Sequence, residues 1–268
     1  MCLLKKELLI ICCLFFCVDV MAQDTIKPQV SSAELLKIYP VLWQQTAAEY
    51  RALCYQAFNI ATMQVNMISK KDLRKNNLAI ITDLDETILN NSYLEANLIK
   101  SGKSYSSKDW KHWTDQSEAT ALPGSVDFLQ YANDKGISIF YVSNRDTSEV
   151  ASTLINLKKL QLPDADTAHM LFLSNTSSKE TRRQIIATKY KIVMLLGDNL
   201  NDFMNVFERK NIADRLSETD KVKDEWGKKF IVLPNCTYGE WEGAWYNYQY
   251  NLNTQQKLDI LFGLMKGF

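Results

Sequence analysis

The sequence predicts an α/β protein built on a doubly wound, Rossmann-like parallel sheet. Short apolar runs alternate along most of the chain with stretches whose apolar residues recur at helical spacing. Several of the apolar runs are followed directly by polar or charged residues. In an open sheet of this kind, ligands bind outside the carboxyl ends of the strands. We therefore expect the functional residues among those that follow the predicted strands.

The first 22 residues have the pattern of a secretory signal peptide. Lys5 and Lys6 supply a positive start, residues 8–17 form an apolar core, and residues 20–22 (VMA) resemble a cleavage site. The apolar run is shorter than the roughly 20 residues that a membrane-spanning helix needs. The sequence thus predicts an exported protein, periplasmic or associated with the outer membrane of a Gram-negative bacterium, with no transmembrane segment in the mature chain.

A lipoprotein signal with Cys17 as the acylated residue is the alternative. Bulky residues at 14–16 (LFF) precede this cysteine, where lipidation favours small ones, so the sequence argues against a lipid anchor. The mature chain then keeps Cys54 and Cys236. Two thiols in an oxidising compartment could pair, or both could be buried and unpaired, and the sequence leaves this open.

Residues 23–76 are predicted to be a helical N-terminal segment. Pro40 interrupts an apolar periodic run, and residues 41–69 fit one long amphipathic helix. We assign this segment to scaffolding, with Trp43 and Tyr50 in the core.

The part after residue 76 contains the alternating pattern. Its first apolar run is rich in isoleucine, as strands buried on both faces are. The predicted strands lie at 77–82, 137–142, 170–173, 192–196 and 230–233. The predicted helices lie at 123–136, 147–160, 179–189, 240–249 and 254–265.

The connection after the first predicted strand is unusually long. It covers about residues 88–122 and contains Trp110 and Trp113. Connections of this length within a domain are usually lids or small insertions. We therefore predict a core of residues 77–268 with a small cap inserted at 88–122.

Composition excludes some classes of partner. The chain has 31 basic and 31 acidic residues, so its formal net charge is zero. A nucleic-acid-binding protein needs a basic surplus to displace counterions, whereas a small anionic substrate needs only a local cluster of cations. With few cysteines and only His112 and His169, a zinc site is not expected, and any metal should be held by carboxylates.

Two carboxylates follow the first predicted strand. Asp83 and Asp85 alternate with a leucine, and Thr87 then turns the chain. Neighbouring carboxylates can separate their pKa values, which suits a reaction that needs one nucleophile and one proton carrier.

Three further strand or helix ends carry polar groups. Ser143 follows the second strand, and its hydroxyl could bind phosphate oxygens. Lys179 starts a helix, where a cation and the helix N-terminus together hold an anion. Asp198 and Asp202 follow the fourth strand, and carboxylates converging from two strand ends are typical of a magnesium site. Each feature alone is weak, but four in this order argue against a purely structural explanation.

The pattern Asp-x-Asp-x-Thr, Ser, Lys and Gly-Asp-x-x-x-Asp resembles that of the haloacid dehalogenase (HAD) superfamily. Residues 81–93 (ITDLDETILNNSY) and 197–203 (GDNLNDF) resemble, more narrowly, the paired signatures of bacterial class C acid phosphatases. That family includes outer-membrane lipoprotein 5′-nucleotidases. The resemblance extends from about residue 43 to residue 242 and departs at the N-terminus, where this chain lacks a clear lipobox. It implies a HAD-like core with a mainly helical cap and an N-terminal helical extension.

The resemblance also implies roles at the carboxylates. Asp83 would attack phosphorus and form a phospho-aspartyl intermediate, and Asp85 would protonate the leaving group and then activate water. Mg²⁺ would be held by the side chains of Asp83 and Asp198 and by the backbone carbonyl of Asp85.

The remaining implied residues surround the phosphate. Ser143 and Lys179 would bind its oxygens, and Asp202 would orient Lys179 or a metal-bound water rather than bind the metal directly. Further substrate-binding candidates are Thr87, Asn144 and Arg145.

The leaving group is less well specified. Trp110 and Tyr238 match aromatic residues that stack on a nucleobase in nucleotidase-like relatives. Alternatively, Trp110 packs inside the cap and Tyr238 supports the last strand. The other tryptophans assigned to the core are Trp113, Trp241 and Trp245.

Three functions remain open at this point. The first is an exported phosphatase that acts on nucleoside monophosphates or nicotinamide mononucleotide, and the second is a phosphatase for other small esters such as sugar phosphates. The third is a binding protein that has lost catalysis, which the intact carboxylates and Lys179 argue against. A homodimer is suggested only by the resemblance.

Overall fold

The computed structural model describes residues 35–75, 77–173 and 175–268. The predicted signal peptide at 1–22 therefore lies outside the described residues. The strands, in chain order, are β1 (Leu78–Thr82), β2 (Leu89–Asn90), β3 (Thr120–Ala121), β4 (Ser138–Asp146), β5 (Met170–Leu173), β6 (Lys191–Gly197) and β7 (Phe230–Val232). The helices are α1 (Ile38–Thr46), α2 (Ala48–Met67), α3 (Lys70–Lys75), α4 (Ser92–Ser101), α5 (Ser107–Gln116), α6 (Ser125–Asp134), α7 (Val150–Lys159), α8 (Glu180–Ala187), α9 (Ile212–Lys221), α10 (Glu240–Trp245) and α11 (Thr254–Leu264).

Five parallel strands form the central sheet in the order β5-β4-β1-β6-β7. This order confirms the predicted doubly wound fold, because the chain winds outward from β1 in both directions. All five residues of β1 are buried, as expected for the middle strand of a sheet covered on both faces. The carboxyl ends of β1, β4 and β6 therefore meet at one edge, where the predicted site residues lie.

Strand β4 continues beyond its predicted end. The apolar run stops at Val142, but the strand reaches Asp146, and Ser143 and Arg145 stay buried while Asn144 is exposed. The alternation of buried and exposed side chains thus continues into polar residues, and a search for apolar residues does not detect it. Pairing with β5 is irregular over this stretch. Ser143 therefore belongs to the strand and does not follow it.

The N-terminal helices break at a different place from the one predicted. Pro40 lies in the first turn of α1, where no backbone N–H is needed, and does not interrupt it. Ala47 is extended and separates α1 from α2, so the single helix predicted over 41–69 is wrong. Trp43 packs edge-on against the buried Tyr50 with ring centroids 5.2 Å apart, which confirms their place in the core.

The chain between β1 and α6 folds as two helices closed by a small ribbon. In this ribbon Leu89 pairs with Ala121 and Asn90 pairs with Thr120. In the chain, helices α4 and α5 come between the two strands of the ribbon. The cap bounds of 88–122 and the division of the chain at residue 77 stay predictions, but a mainly helical insertion occupies the expected place.

Some side chains lie elsewhere than expected. Trp245 is 36% exposed, because α10 lies at the surface and this ring packs edge-on against Trp241. Cys54 is buried and Cys236 is exposed, and the two thiols are not bonded. The alternative of two buried thiols is thus wrong for Cys236.

Within the described part of the chain, no helix combines the length and apolarity that crossing a bilayer requires.

Candidate active site

Asp83 lies directly after the central strand and is almost completely buried. Its backbone N–H donates to the carbonyl of Leu196 at 3.0 Å, which fixes the residue to the end of β6. The Lys179 ammonium, just before α8, lies 2.5 Å from Asp83 Oδ1 and 2.6 Å from Asp202 Oδ1. One buried cation thus joins carboxylates from two strand ends. This contact agrees with the predicted role of Asp202 in orienting Lys179.

Asp198 completes the carboxylate cluster from the end of β6. Thr87 Oγ1 lies 3.2 Å from Asp83 Oδ2 and 3.4 Å from Asp198 Oδ1, and the Asn235 amide donates to Asp198 Oδ2 at 2.7 Å. Thr87 is fully buried and does not line the cavity described below. The structure therefore gives Thr87 a contact to the carboxylates instead of the predicted contact to substrate.

The close approach of Asp202 depends on a glycine. A Cβ atom at Gly197 would lie 2.4 Å from Asp202 Oδ2, so no side chain fits there without moving this carboxylate. Asp202 also accepts the backbone N–H of Asn199 at 3.1 Å. The glycine in the second signature thus lets the turn after β6 bring Asp202 to Lys179.

The cluster carries more negative than positive charge. Oxygen atoms of Asp83, Asp198 and Asp202 lie within 4.8 Å of one another, and Lys179 forms ion pairs with Asp83 and Asp202. Burial is the largest cause that raises the pKa of Asp83 to about 7; Lys179 opposes it, and the charges of Asp202 and Asp85 add to it. Burial, followed by the charges of Asp202 and Asp83, raises the pKa of Asp198. An all-carboxylate donor set with unbalanced charge fits a hard divalent cation.

Asp85 is held by an arginine that the sequence had assigned to substrate binding. Arg145 Nη2 donates to Asp85 Oδ1 at 2.7 Å, and its Nε lies 3.1 Å from both carboxylate oxygens. The Arg145 Nη1 donates to Thr153 at 2.9 Å. Because the guanidinium is buried and bonded in this way, the structure assigns Arg145 to positioning Asp85. Asn91 Nδ2 at 2.9 Å and Ser143 Oγ at 3.5 Å also face Asp85.

The carboxyl end of β4 is held by a residue that sequence reasoning missed. Arg182 Nη1 donates to the carbonyl of Ser143, and its Nη2 donates to Asn144 Oδ1, both at 2.5 Å. The sequence placed Arg182 in the predicted helix at 179–189 and gave it no role. Its contacts fix the segment that carries two of the predicted phosphate-binding residues.

Glu86 forms a second buried polar centre that the sequence did not assign. It has a left-handed backbone (φ 58°) and accepts the backbone N–H of Asn91 at 2.8 Å, the Gln44 amide at 3.3 Å and the Tyr238 hydroxyl. Burial, followed by the charge of Asp85, raises the pKa of Glu86 to about 7. Glu86 is a charged residue inside the first signature, residues 81–93, and this position could have drawn attention to it. Gln44 on α1 gave no signal, yet it shows that the helical extension reaches the site.

One cavity of about 400 Å³ is bordered by most of the predicted reacting and phosphate-binding residues, namely Asp83, Asp85, Ser143, Asn144, Lys179, Asp198 and Asp202. Trp110, Arg145 and Tyr238 also border it. Trp110 packs on the guanidinium of Arg145, 5.6 Å from its ring centroid. Residues at this cavity that the sequence did not single out are Lys37, Glu95, Tyr105, Asn199 and Gly239.

Comparisons with known proteins agree with this geometry. Residues 4–241 match the family described as HAD superfamily, subfamily IIIB (acid phosphatase). The class C acid phosphatase from Bacillus anthracis is 39% identical with a TM-score of 0.83, and the match covers 88% of this chain and 98% of that one. The structure of the Bacillus anthracis enzyme with tungstate bound is 38% identical with a TM-score of 0.82, at the same 88% and 98% coverage.

The match extends over most of the chain and includes both carboxylate signatures. It confirms the HAD-like fold and the phosphatase activity that the resemblance implied, and the binding protein without catalysis is no longer favoured. The chain belongs to the acid phosphatases of HAD subfamily IIIB and is a phosphoric monoester hydrolase.

Proposed function

We propose that this phosphatase is an exported, Mg²⁺-dependent phosphomonoesterase that hydrolyses nucleoside monophosphates through a phospho-aspartyl intermediate. One observation carries the proposal: Asp83, Asp85, Trp110 and Tyr238 border the same cavity. The cavity thus combines a carboxylate nucleophile and a second carboxylate with two aromatic rings. Its volume of about 400 Å³ is in the range of pockets that bind small molecules.

In the first step, an Asp83 oxygen forms a bond to phosphorus while the bond from phosphorus to the ester oxygen breaks. Asp85 supplies the proton that the departing alkoxide takes up. In the second step Asp85 accepts a proton from water, whose oxygen attacks phosphorus and releases Asp83 as a free carboxylate. Arg145 holds Asp85 in one orientation through both steps, since its fork contacts both carboxylate oxygens.

Charge balance assigns the remaining roles. Lys179 lies between Asp83 and Asp202 and neutralises part of their charge, so an anionic phosphate can approach Asp83. The side chains of Asp83 and Asp198 and the carbonyl of Asp85 would hold Mg²⁺, while Asp202 orients Lys179. When bound, the metal offsets the charge that develops on the phosphoryl oxygens. The Ser143 hydroxyl and the neighbouring Asn144 are placed to bind these oxygens.

Export rests on the pattern of residues 1–22, which lies outside the described part of the chain. A mature N-terminus at Gln23, identified by mass spectrometry of the secreted protein, would support it. Retention of Met1 would contradict it.

The preference for nucleotides is tested with Trp110→Ala. Base stacking contributes about 1–3 kcal/mol, so kcat/KM for a nucleoside 5′-monophosphate should fall roughly 10–100-fold more than kcat/KM for glycerol phosphate. The measurement is a kinetic screen of nucleoside monophosphates and sugar phosphates, with and without Mg²⁺.

Trp110→Phe is the matched variant, because it keeps an aromatic face over Arg145. It should retain most of the nucleotide preference. Equal losses for both substrate types in Trp110→Ala would favour the alternative, a broad phosphatase for sugar phosphates and other small esters.

A further inference from the structure

An ion pair in the cavity lining has no part in the chemistry described above. Lys37 Nζ lies 3.1 Å from Glu95 Oε2. Lys37 immediately precedes α1 in the N-terminal extension, and Glu95 lies on α4 in the inserted segment. Both residues line the cavity that contains Asp83 and Asp85. Two segments that the sequence assigned to scaffold and cap therefore meet at the substrate cavity.

The pair differs from an ordinary surface ion pair. The side chain of Glu95 is 7% exposed and that of Lys37 is 23% exposed. Exposed pairs contribute little, whereas a buried carboxylate is costly unless it is well paired. Tyr105 borders the same cavity, and its pKa is raised by burial and by the charges of Glu149, Asp85 and Glu95. The charge of Glu95 therefore acts on Tyr105, a group that lines the cavity.

Hydrogen-bonding capacity remains on both partners. Glu95 Oε2 accepts from Lys37, and among the described residues no hydrogen bond is made to Glu95 Oε1. An ammonium has three N–H donors, and Lys37 uses one of them for Glu95. The pair thus offers at least one acceptor and one donor. It is neutral as a unit, so it does not attract a second anionic group on the substrate.

We propose that Lys37 and Glu95 form the subsite that recognises the hydroxyl groups of the leaving group, specifically a vicinal diol such as that of ribose. One hydroxyl donates to Glu95 and the other accepts from Lys37. The sugar of a nucleotide joins its phosphate to its base, so a hydroxyl-binding pair belongs in the cavity that contains the groups for both. This inference rests on the proposed function, because it names the recognised part of that leaving group.

The test compares a ribonucleoside 5′-monophosphate with its 2′,3′-dideoxy analogue. The wild type should have a kcat/KM roughly tenfold or more higher for the ribonucleotide, since a hydrogen bond to a charged group has about this effect. In Glu95→Gln and in Lys37→Met this ratio should fall towards one. A ratio within one variant is insensitive to losses shared by all substrates, which a purely structural role would cause.

Asp115→Asn is the matched control. It removes an ion pair with Lys111 on the exposed face of the neighbouring helix α5, away from the cavity lining. Its ratio should equal that of the wild type, and thermal unfolding of all variants shows whether each is folded.

Equal kcat/KM values for ribonucleotide and dideoxynucleotide in the wild type would overturn the inference without any variant. A wild-type ratio that persists in folded Glu95→Gln and Lys37→Met would overturn it as well. Failure of the proposed function has a different signature. In that case the wild type hydrolyses glycerol phosphate as well as it hydrolyses either nucleotide.

Discussion

The Asp83→Asn variant is expected to fold and to lose turnover by about 10⁴-fold or more, because an amide is not a nucleophile towards phosphorus. The substitution changes little else. Asparagine keeps one oxygen of the aspartate and replaces the other with an NH₂ group of similar size. Lys179 keeps its contact with Asp202 at 2.6 Å. Removing one charge from a cluster of three neighbouring carboxylates also reduces their repulsion. The measurement is kcat at saturating substrate and Mg²⁺, together with the thermal unfolding temperature.

Asp134→Asn is the control for this change. Asp134 is the last residue of α6, is exposed and precedes the amino end of β4, whereas the site lies at the carboxyl ends of the strands. The activity of this variant should therefore equal that of the wild type. Acid quenching during turnover should trap a phosphoryl group on the wild type, on the peptide that contains Asp83, and none on Asp83→Asn. Near-normal phosphate release by Asp83→Asn would show that another group is the nucleophile.

The sequence predicted that Asp83 lies at the site because local pattern and topology act together. Each apolar run predicts a strand, and parallel strands bring their carboxyl ends to one edge. Asp83 after β1 and Asp198 after β6 are 115 residues apart in the chain, yet alternation alone indicates that they converge. The five strands were predicted to within a few residues for the same reason, and β4 was cut short only where its buried residues become polar.

Contacts between polar side chains were not predictable in this way. Arg145 pairs with Asp85 across 60 residues, Lys37 with Glu95 across 58, and Gln44 with Glu86 across 42. The contacts of Lys37 and Gln44 depend on how α1 lies against the inserted segment and the turn after β1, and that of Arg145 depends on the polar extension of β4. No local period encodes these arrangements. The sequence therefore indicated which candidate groups lie at the site, whereas the groups that orient them emerged only from the packing.

Removal of divalent cations is the second change with a large expected effect. Dialysis against a chelator should lower turnover by about 10²-fold or more, because three carboxylates then face the substrate phosphate while Lys179 pairs with two of them, Asp83 and Asp202. Added Mg²⁺ should restore activity. In Asp198→Asn the Mg²⁺ concentration for half-maximal activity should rise about tenfold or more, because one charged ligand is lost. Full activity after exhaustive chelation would contradict the proposed metal dependence.

The same carboxylates predict how Mg²⁺ activation depends on pH. The pKa of Asp83 is raised from 3.8 to about 7 in the metal-free protein, so protons compete with Mg²⁺ for its oxygens below pH 7. Apparent Mg²⁺ affinity should therefore increase from pH 5 to pH 7 and level off above it. The stability of the protein without metal has the opposite trend. The pKa of the Asp83 carboxyl group is higher in the folded than in the unfolded state, so the folded protein binds the proton more tightly. The free energy of unfolding therefore falls as the pH rises from about 4 to 7. Thermal unfolding with and without Mg²⁺ at pH 5 and pH 8 checks both trends, and a Mg²⁺-induced stabilisation equal at the two values would refute the competition.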